Sequence, residues 1–385
     1  MYWIWSLSLG AHASRSQDPA FCAMSEVTYN KTWLNSTKIS YLEHGWPSSL
    51  NILWRKNEPV DGTETCASHV QTNLIGAAAK SPNFFVVTPC LNVEATIDRT
   101  IQSVISQGGG FPIQYHVQDG NSTDGTIERL RYWSELLEKN VNYSNVRFTW
   151  SSASDEGMYD ALLVGFGSLD IAPDDFMTWI NGDDVLMPDA FSVVAQISSF
   201  RPGVQWIGGT VRVIDENDRL VEGRDMSVPT EVIREGLCDG RHWYHLQQEG
   251  MFFKKSLWFR AKNALKGFHL AGDWNLWREF ARHTEYLQLG IPLGAFRSRT
   301  GQQSVARFAE YGAEIAATLP IEQRQAAFKR LYARRQSMQC AVVRLASITA
   351  EPVTERKEAA AYFEFFDKQA AVDKYSITGN AYRKD

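Results

Sequence analysis

Between Phe84 and Ile180 the chain switches repeatedly between two hydrophobic periods, and that alternation leaves few folds open to it. Phe84-Phe85-Val86-Val87 is a short continuous apolar run, the pattern of a strand buried on both faces. After Pro89, apolar residues recur at helical spacing as Ile97, Ile101, Val104 and Ile105. Ile113-Gln114-Tyr115-His116-Val117 reads as a second strand and Ile127, Leu130 and Leu137 as a second helix. Val146, Phe148 and Trp150 alternate as a third strand. A helix from about Met158 to Gly167 then leads to a fourth, Phe176-Met177-Thr178-Trp179-Ile180. Strands alternating with helices predict an α/β fold, an open, mostly parallel sheet flanked by helices and joined by crossovers. Ligands of such sheets bind beyond the carboxyl ends of the strands, so the chemistry is to be sought there.

The flanking regions are less informative. Residues 1–80 show no sustained period and are rich in Ser, Thr and Asn, which predicts a loosely ordered extension. Tyr2 to Gly10 followed by Ala11-His12-Ala13 has a faint likeness to a signal peptide, but it lacks a positive leader and is broken by serines. No apolar run approaches the ~20 residues that span a bilayer. Cys22, Cys66, Cys90, Cys238 and Cys340 are scattered, without Cys-x-x-Cys or zinc spacing, and read as reduced thiols. These features together predict a cytoplasmic protein. A formal charge of -5 with no long basic run gives no sign of a nucleic-acid partner. The 13 tryptophans fit a rich core more readily than sugar-stacking platforms. Past residue 200, Val211-Arg212-Val213-Ile214, the turn Asp215-Glu216-Asn217-Asp218 and Leu220-Val221 predict a hairpin. Near the end, Phe328, Leu331, Tyr332, Arg335, Met338, Val342 and Leu345 keep helical spacing, flanked by Lys329, Arg330, Arg334 and Arg344. The stripe predicts a helical C-terminal extension packed on the domain; the alternative is peripheral contact with an anionic membrane surface at its inner face.

The strand ends carry the polar chemistry. The first closes in Thr88-Pro89-Cys90-Leu91-Asn92-Val93-Glu94, without the glycine-rich loop of a dinucleotide-binding fold, which argues against an NAD or FAD enzyme. The second closes in Asp119-Gly120-Asn121-Ser122-Thr123-Asp124-Gly125-Thr126. This is a turn feeding a helix, with Asn121, Ser122 or Thr123 as N-cap; Asp119 also stands where a carboxylate could accept a nucleobase N–H. The third delivers Asp155-Glu156-Gly157-Met158-Tyr159-Asp160-Ala161 and the fourth Asn181-Gly182-Asp183-Asp184. Two adjacent acids closing an apolar strand repel each other, and burying them unpaired is costly. Mg2+ or Mn2+, which favour oxygen ligands completed by water and phosphate, would resolve that conflict. The alternative is that Asp183 and Asp184 face water before a helix at Pro188. Acids at three successive strand ends favour a site.

In this order and approximate spacing, the segments Val86–Asn92, Val117–Thr126, Asp155–Ala161 and Ile180–Asp184 resemble the nucleotide-binding half of a family-2 inverting glycosyltransferase of bacterial type, with the GT-A fold. The resemblance covers roughly residues 82–305. It implies a nucleotide-sugar-binding half over 81–200 and an acceptor-binding half over 201–305, followed by the extension over 306–385. By the same resemblance Thr88, Pro89, Asn92 and Glu94 line the nucleoside pocket and Asp119 reads the base. Gly120, Asp155, Gly157, Asp160, Asn181 and Asp183 complete the donor site, and Asp183 with Asp184 hold the metal. Asn181 stands where the family's metal motif often begins with Asp. Gln247–Trp258 resembles the family's glutamine-containing segment and places Gln248 and Glu249 at the acceptor. Leu270–Trp277 resembles the segment that carries the catalytic base, here Asp273, with Trp274 beside the acceptor. Gly272 stands where many relatives carry an acid. Asp273 could also serve as a helix N-cap, a role compatible with catalysis. Phe296-Arg297 to Gln302-Gln303-Ser304 resembles the segment that closes near the diphosphate.

The implied reaction is transfer of a sugar from a UDP-, GDP- or dTDP-linked donor to a hydroxyl of a saccharide or lipid-linked saccharide, with inversion. A hydroxyl is a poor nucleophile, so a carboxylate must take its proton as attack develops, and the cation neutralises the leaving diphosphate. Rival readings are a donor hydrolase and a non-catalytic nucleotide-sugar-binding protein of the same fold. A sugar-1-phosphate nucleotidyltransferase would need a glycine-rich, lysine-bearing entry loop, which the first strand end lacks.

Overall fold

The apolar run at Phe84 forms strand β1 (Phe84–Cys90), and each of its residues is buried. The structure is a computed structural model, which describes residues 82–224, 227–299, 307–344 and 352–368. The expected N-terminal extension, Cys22, Cys66, Gln302-Gln303-Ser304 and Leu345 lie outside these residues. From β1 the chain alternates as read: α1 (Ile97–Ile105), β2 (Ile113–Asp119), α2 (Thr126–Lys139), β3 (Val146–Ser152), α3 (Met158–Gly167) and β4 (Phe176–Trp179). A two-residue strand β5 (Val185–Leu186) and α4 (Ala190–Phe200) follow. The expected hairpin is β6 (Trp206–Ile214) with β7 (Leu220–Arg224), paired antiparallel. Then come α5 (Thr230–Arg234), β8 (Met251–Lys254), α6 (Lys255–Ala261), α7 (Gly272–His283), β9 (Leu287–Pro292) and β10 (Gly294–Arg297).

The main sheet runs β9-β6-β8-β4-β1-β2-β3, and two strands of the C-terminal region, β11 (Gln339–Arg344) and β12 (Val353–Glu358), extend it beyond β9. β3, β2, β1 and β4 are mutually parallel, β8 is antiparallel to both of its neighbours, and β6 and β9 are parallel again. Successive residues of a strand point to opposite faces, and the core divides accordingly. Phe84 and Val86 face a cluster built from Ile97, Ile101, Leu130, Trp133 and Phe191. Phe85 and Val87 face Tyr159, Leu162, Phe166, Trp277 and Phe280. The tryptophans belong to this core: of the eight described, seven are buried and Trp150 is half-buried. Trp277 stacks between Trp179 and Trp206, with ring centroids 5.2 and 5.6 Å away.

The C-terminal region departs from the expected single helical stripe. It forms α8 (Phe308–Thr318), α9 (Ile321–Ala333), β11 (Gln339–Arg344), β12 (Val353–Glu358) and α10 (360–368). Phe328 and Leu331 lie on α9, but the helix closes where the Arg334 N–H turns back to the Leu331 carbonyl. Met338 and Val342 are buried beyond that point, Val342 in a strand that pairs parallel with β9. Their helical spacing is coincidental, because residues four apart share a face in a strand as well as in a helix. The stripe covers the core, with Phe328, Leu331, Met338 and Val342 all buried.

A buried ion cluster that pattern reading did not find fastens α9 to the sheet domain. Asp239 accepts from the backbone N–H groups of Arg241 and His242 at 3.0 and 2.8 Å, and from His242 Nδ1 at 2.9 Å. Arg324 of α9 pairs with the same carboxylate and donates from Nε to the Leu319 carbonyl at 3.0 Å. Burial alone would raise the Asp239 carboxyl; His242 and Arg324 hold it below the usual carboxylate range. Removing one partner of a buried ion pair typically costs ~3–5 kcal/mol, because the other charge stays desolvated. Arg324→Ala is therefore expected to lower the unfolding free energy measured in urea by an amount in that range, and a value equal to wild type would show that the cluster adds nothing.

Candidate active site

Register sets the donor side. Cys90, Asp119 and Ser152 lie side by side across β1, β2 and β3, so the three carboxyl ends are level. Asp119 is fully buried. Its Oδ2 accepts from the N–H groups of Asn121 and Ser122, each at 3.0 Å, and from Ser152 Oγ at 2.6 Å. Its Oδ1 takes the Ser122 hydroxyl and, at 3.7 Å, the Cys90 thiol, which burial pushes up in pKa and keeps protonated. The turn at Asp119 is thus internally satisfied, and a nucleobase N–H would have to share one of its oxygens. Asn92, at a φ of 53° that asparagine tolerates, bridges to the same turn. Its N–H donates to Ser122 Oγ at 2.8 Å and its Oδ1 accepts from the Thr123 N–H at 2.8 Å. The Glu94 N–H donates to Asp124 at 3.0 Å, and the Glu94 carboxylate accepts from the Gly125 N–H at 3.1 Å. Thr88 is buried inside β1 against the Tyr115 hydroxyl at 2.9 Å, and Pro89 follows it in the strand. None of Asn121, Ser122 or Thr123 caps α2. The helix starts later, at Thr126, whose N–H is taken by Asp124 Oδ1 at 3.0 Å. Asn121 and Ser122 instead give their N–H groups to Asp119.

Asp155 closes over this rim. Its Oδ1 accepts from the Gly157 N–H at 2.9 Å, and a Cβ at Gly120 would stand 3.0 Å from its Oδ2. Burial first, then Asp160 and Asp119, raise its pKa. Gly157 starts α3 at a φ of 122°, a conformation in which any side chain is strained, which is why glycine is needed between Asp155 and the helix. Asp160 accepts from the Glu156 N–H at 3.3 Å.

The acid pair after β4 has a different environment. Asp184 is 1% exposed, and its Oδ1 accepts from the Arg297 N–H of β10 at 2.8 Å. Its Oδ2 accepts from Asn181 Nδ2 at 3.1 Å, a donation that an aspartate at 181 could not make. Glu249 stands close enough to Asp184 to disfavour its charged form. Burial raises both, Glu249 to about 7, and Asp184 is lifted further by Glu249 and Asp183. Gln248 Nε2 donates to Glu249 at 2.7 Å. Asp183 is half-buried and pairs with Arg299 Nε at 2.9 Å, while Arg297 Nε holds the Asp183 carbonyl at 2.7 Å. The amide oxygens of Asn181 and Gln248 are buried without a hydrogen-bond partner. Crowded carboxyls with spare amide oxygens at hand are a hard-oxygen donor set of the kind that suits Mg2+ or Mn2+. Among the described residues no three acidic, His or Cys side chains already stand in ligand geometry, and Arg299 occupies Asp183.

Asp273 lies in the first turn of α7, and the N-cap position belongs to Ala271. Its Oδ1 accepts from the Trp274 N–H at 2.8 Å, and the Tyr159 hydroxyl stands 3.2 Å away. Burial pushes the carboxyl up to about 6. The charge of Asp273 reaches Glu249 and helps to raise it. Trp274, expected beside the acceptor, turns inward instead. It is 3% exposed, its indole donates to the Gly236 carbonyl at 3.2 Å, and the Arg278 guanidinium covers its ring at 4.9 Å. Position 274 falls on the apolar face of α7 with Trp277 and Ala281, a periodicity visible in the sequence. Tyr159 was not assigned a role from the sequence, and Arg297 and Arg299 entered only within the segment expected near the diphosphate; Tyr159 shares a helical face with Leu162 and Phe166, and its spacing signals only core.

Residues 85–264 match the sequence model of the family described as Glycosyl transferase family 2. No curated protein matches the chain. Among solved structures it is similar to S. aureus TarS 1-349 in complex with UDP-GlcNAc, at 16% identity and a TM-score of 0.46, over 66% of this chain and 73% of that one. It is also similar to GalNAc-T7 with UDP, GalNAc and Mn2+, at 12% identity and a TM-score of 0.47, over 68% and 52% of the two chains. A third is the mannosyltransferase PcManGT from Pyrobaculum calidifontis in complex with GDP-Man and Mn2+, at 16% identity and 0.41, over 66% and 75%. At such identities a shared donor or metal does not follow. With most of this largely parallel sheet and the acids gathered at its strand ends lying within the matched residues, residues 85–264 form a glycosyl transferase family 2 domain and the protein is a glycosyltransferase.

Proposed function

We propose that the protein transfers a sugar from a nucleotide-diphosphate donor to a hydroxyl of a saccharide or lipid-linked saccharide, with inversion, and that Asp273 is the base. The observation that carries this reading is the family match over residues 85–264 together with the buried acid pair after β4, whose Asp184 is held by Asn181 and the Arg297 N–H. Residues 81–200 would hold the donor and 201–305 the acceptor, with 306–385 as a C-terminal extension whose strands β11 and β12 join the same sheet. Thr88, Pro89, Asn92, Glu94, Asp119, Gly120, Asp155, Gly157, Asp160, Asn181 and Asp183 would line the donor, and Gln248 and Glu249 the acceptor. The buried, unoxidised Cys90, Cys238 and Cys340 agree with a cytoplasmic location. No helix among the described residues is long and apolar enough to cross a membrane.

Asp183 and Asp184 would hold Mg2+ or Mn2+, which when bound supplies positive charge to the departing diphosphate. Asn181 orients Asp184, and the Arg297 N–H fixes its other oxygen. Asp273 takes the proton of the acceptor hydroxyl on its carboxylate as the new glycosidic bond forms and the bond to the diphosphate breaks. A single displacement of this kind inverts the anomeric centre. A carboxyl poised near 6 is a better base than an exposed aspartate and is still largely ionised at neutral pH.

Three outcomes are expected. Screening nucleotide sugars for released nucleoside diphosphate should identify a donor, and Asp273→Asn should then cut turnover by roughly a hundredfold or more while leaving donor binding nearly intact. Wild-type turnover in that variant would falsify the assignment of the base. Because Asp273 must be ionised to accept a proton, kcat should be level above its pKa and fall as the pH drops through about 6. A profile flat down to pH 4 would place the base elsewhere. Asp184→Ala should weaken nucleoside diphosphate binding in calorimetry with manganese but not without it; equal loss in both titrations would remove the metal from the account.

A further inference from the structure

One buried polar group beside the proposed base has no part in the chemistry described so far, the hydroxyl of Tyr159. Tyr159 is 2% exposed and sits on α3, at the end of the Asp155 segment, yet its hydroxyl reaches across to the start of α7. It accepts from the Asp273 N–H at 3.1 Å, stands 3.2 Å from Asp273 Oδ1, and lies 2.8 Å from the Leu270 carbonyl oxygen. A phenol has one proton, so the carbonyl and the carboxylate compete for it. The ring is wedged beside Gly272, where an added Cβ would lie 2.7–2.8 Å from three of its ring carbons. Position 272, which many family-2 relatives fill with an acid, is here the space into which the tyrosine ring fits.

We propose that Tyr159 is a positioning residue for Asp273: its hydroxyl fixes the carboxylate through Oδ1 and, by turning its proton from the Leu270 carbonyl to that oxygen, stabilises the ionised base. The inference rests on the reading of Asp273 as the base. The other groups around Asp273 do different work. Glu249 faces it from the segment before β8 and adds negative charge. Glu314 of α8 is engaged with the N–H groups of His269, Leu270 and Ala271, and Arg278, one turn further along α7, lies over the Trp274 ring. Tyr159 is the side-chain donor that meets the carboxylate among the described residues, and its contact works against the upward push of burial. It also ties the donor-side helix to the base, so the two halves of the site share one hydrogen-bonded joint.

The test compares Tyr159→Phe and Asp273→Asn with wild type, each checked for an intact thermal transition, in kcat and donor KM across pH. Tyr159→Phe is expected to lower kcat by roughly tenfold, the scale of a hydrogen bond to a charged group. Its donor KM should stay within about twofold, and the acid limb of its kcat profile should move to higher pH, because the ionised base has lost its donor. An unchanged rate, a slower rate with an unmoved limb, or a KM that rises in step with the loss of kcat would overturn the proposal. If Asp273→Asn keeps its turnover, the base assignment itself is wrong; if it is inactive and the limb of Tyr159→Phe does not move, only the role of Tyr159 falls. Should the Phe variant not fold, Gly272→Ala displaces the ring by its methyl group and is expected to shift the limb the same way, and an unmoved limb there is equally decisive.

Discussion

Burying a carboxylate costs several kcal/mol unless something nearby compensates for the lost water, and the site is organised around how that cost is met at each acid. Asp239 lies between His242 and Arg324 and stays below the ordinary range, so it is ionised and inert. Asp119 is surrounded by backbone and hydroxyl donors of its own turn and of β3. Asp184, Glu249 and Asp273 have no cation against their carboxylates, and burial raises all three, as it raises Asp155 and Asp189. A reaction that needs a cation at one point and a proton acceptor at another would place both demands on acids of this kind.

Holding such groups at a fixed separation requires a rigid frame, and the aromatic core provides it. Trp179 ends β4, four residues before Asp183, and Trp277 lies one helical turn after Asp273. The two indoles stack 5.2 Å apart with their planes 13° from parallel, and Trp206 of β6 stacks on the other face of Trp277. The strand that delivers the acid pair and the helix that delivers the lone acid are thus joined through a packed aromatic column. Because such columns are close-packed, truncating a ring would be felt at both acids, a coupling by packing rather than by charge.

The sheet from β1 to β4 was legible because each strand and helix there has a clean period, and all four helical-face residues at Ile97, Ile101, Val104 and Ile105 are buried as the spacing required. The acids at the strand ends were legible for the same reason, since the end of a buried strand is a fixed place. What escaped was non-local. The stripe from Phe328 to Val342 has helical spacing, but it crosses a helix end into a strand that pairs with β9, and pairing partners leave no mark on local periodicity. Trp274 was read from its neighbour in the chain, whereas the side of α7 it occupies is set by burial. The ion cluster of Asp239, His242 and Arg324 joins residues 85 positions apart, and three ordinary polar residues so separated carry no local signal.

The two departures from the family pattern at the site find a common cause in charge. Asn181 stands where an acid often begins the metal motif, and here its amide donates to Asp184, which already contends with Asp183 and Glu249. A third carboxylate at 181 would have raised that repulsion with no donor to offset it. Gly272 stands where many relatives carry an acid, and the space it leaves holds the Tyr159 ring, whose hydroxyl meets the next residue. In both places a negative charge is absent and a hydrogen-bond donor faces the remaining acid.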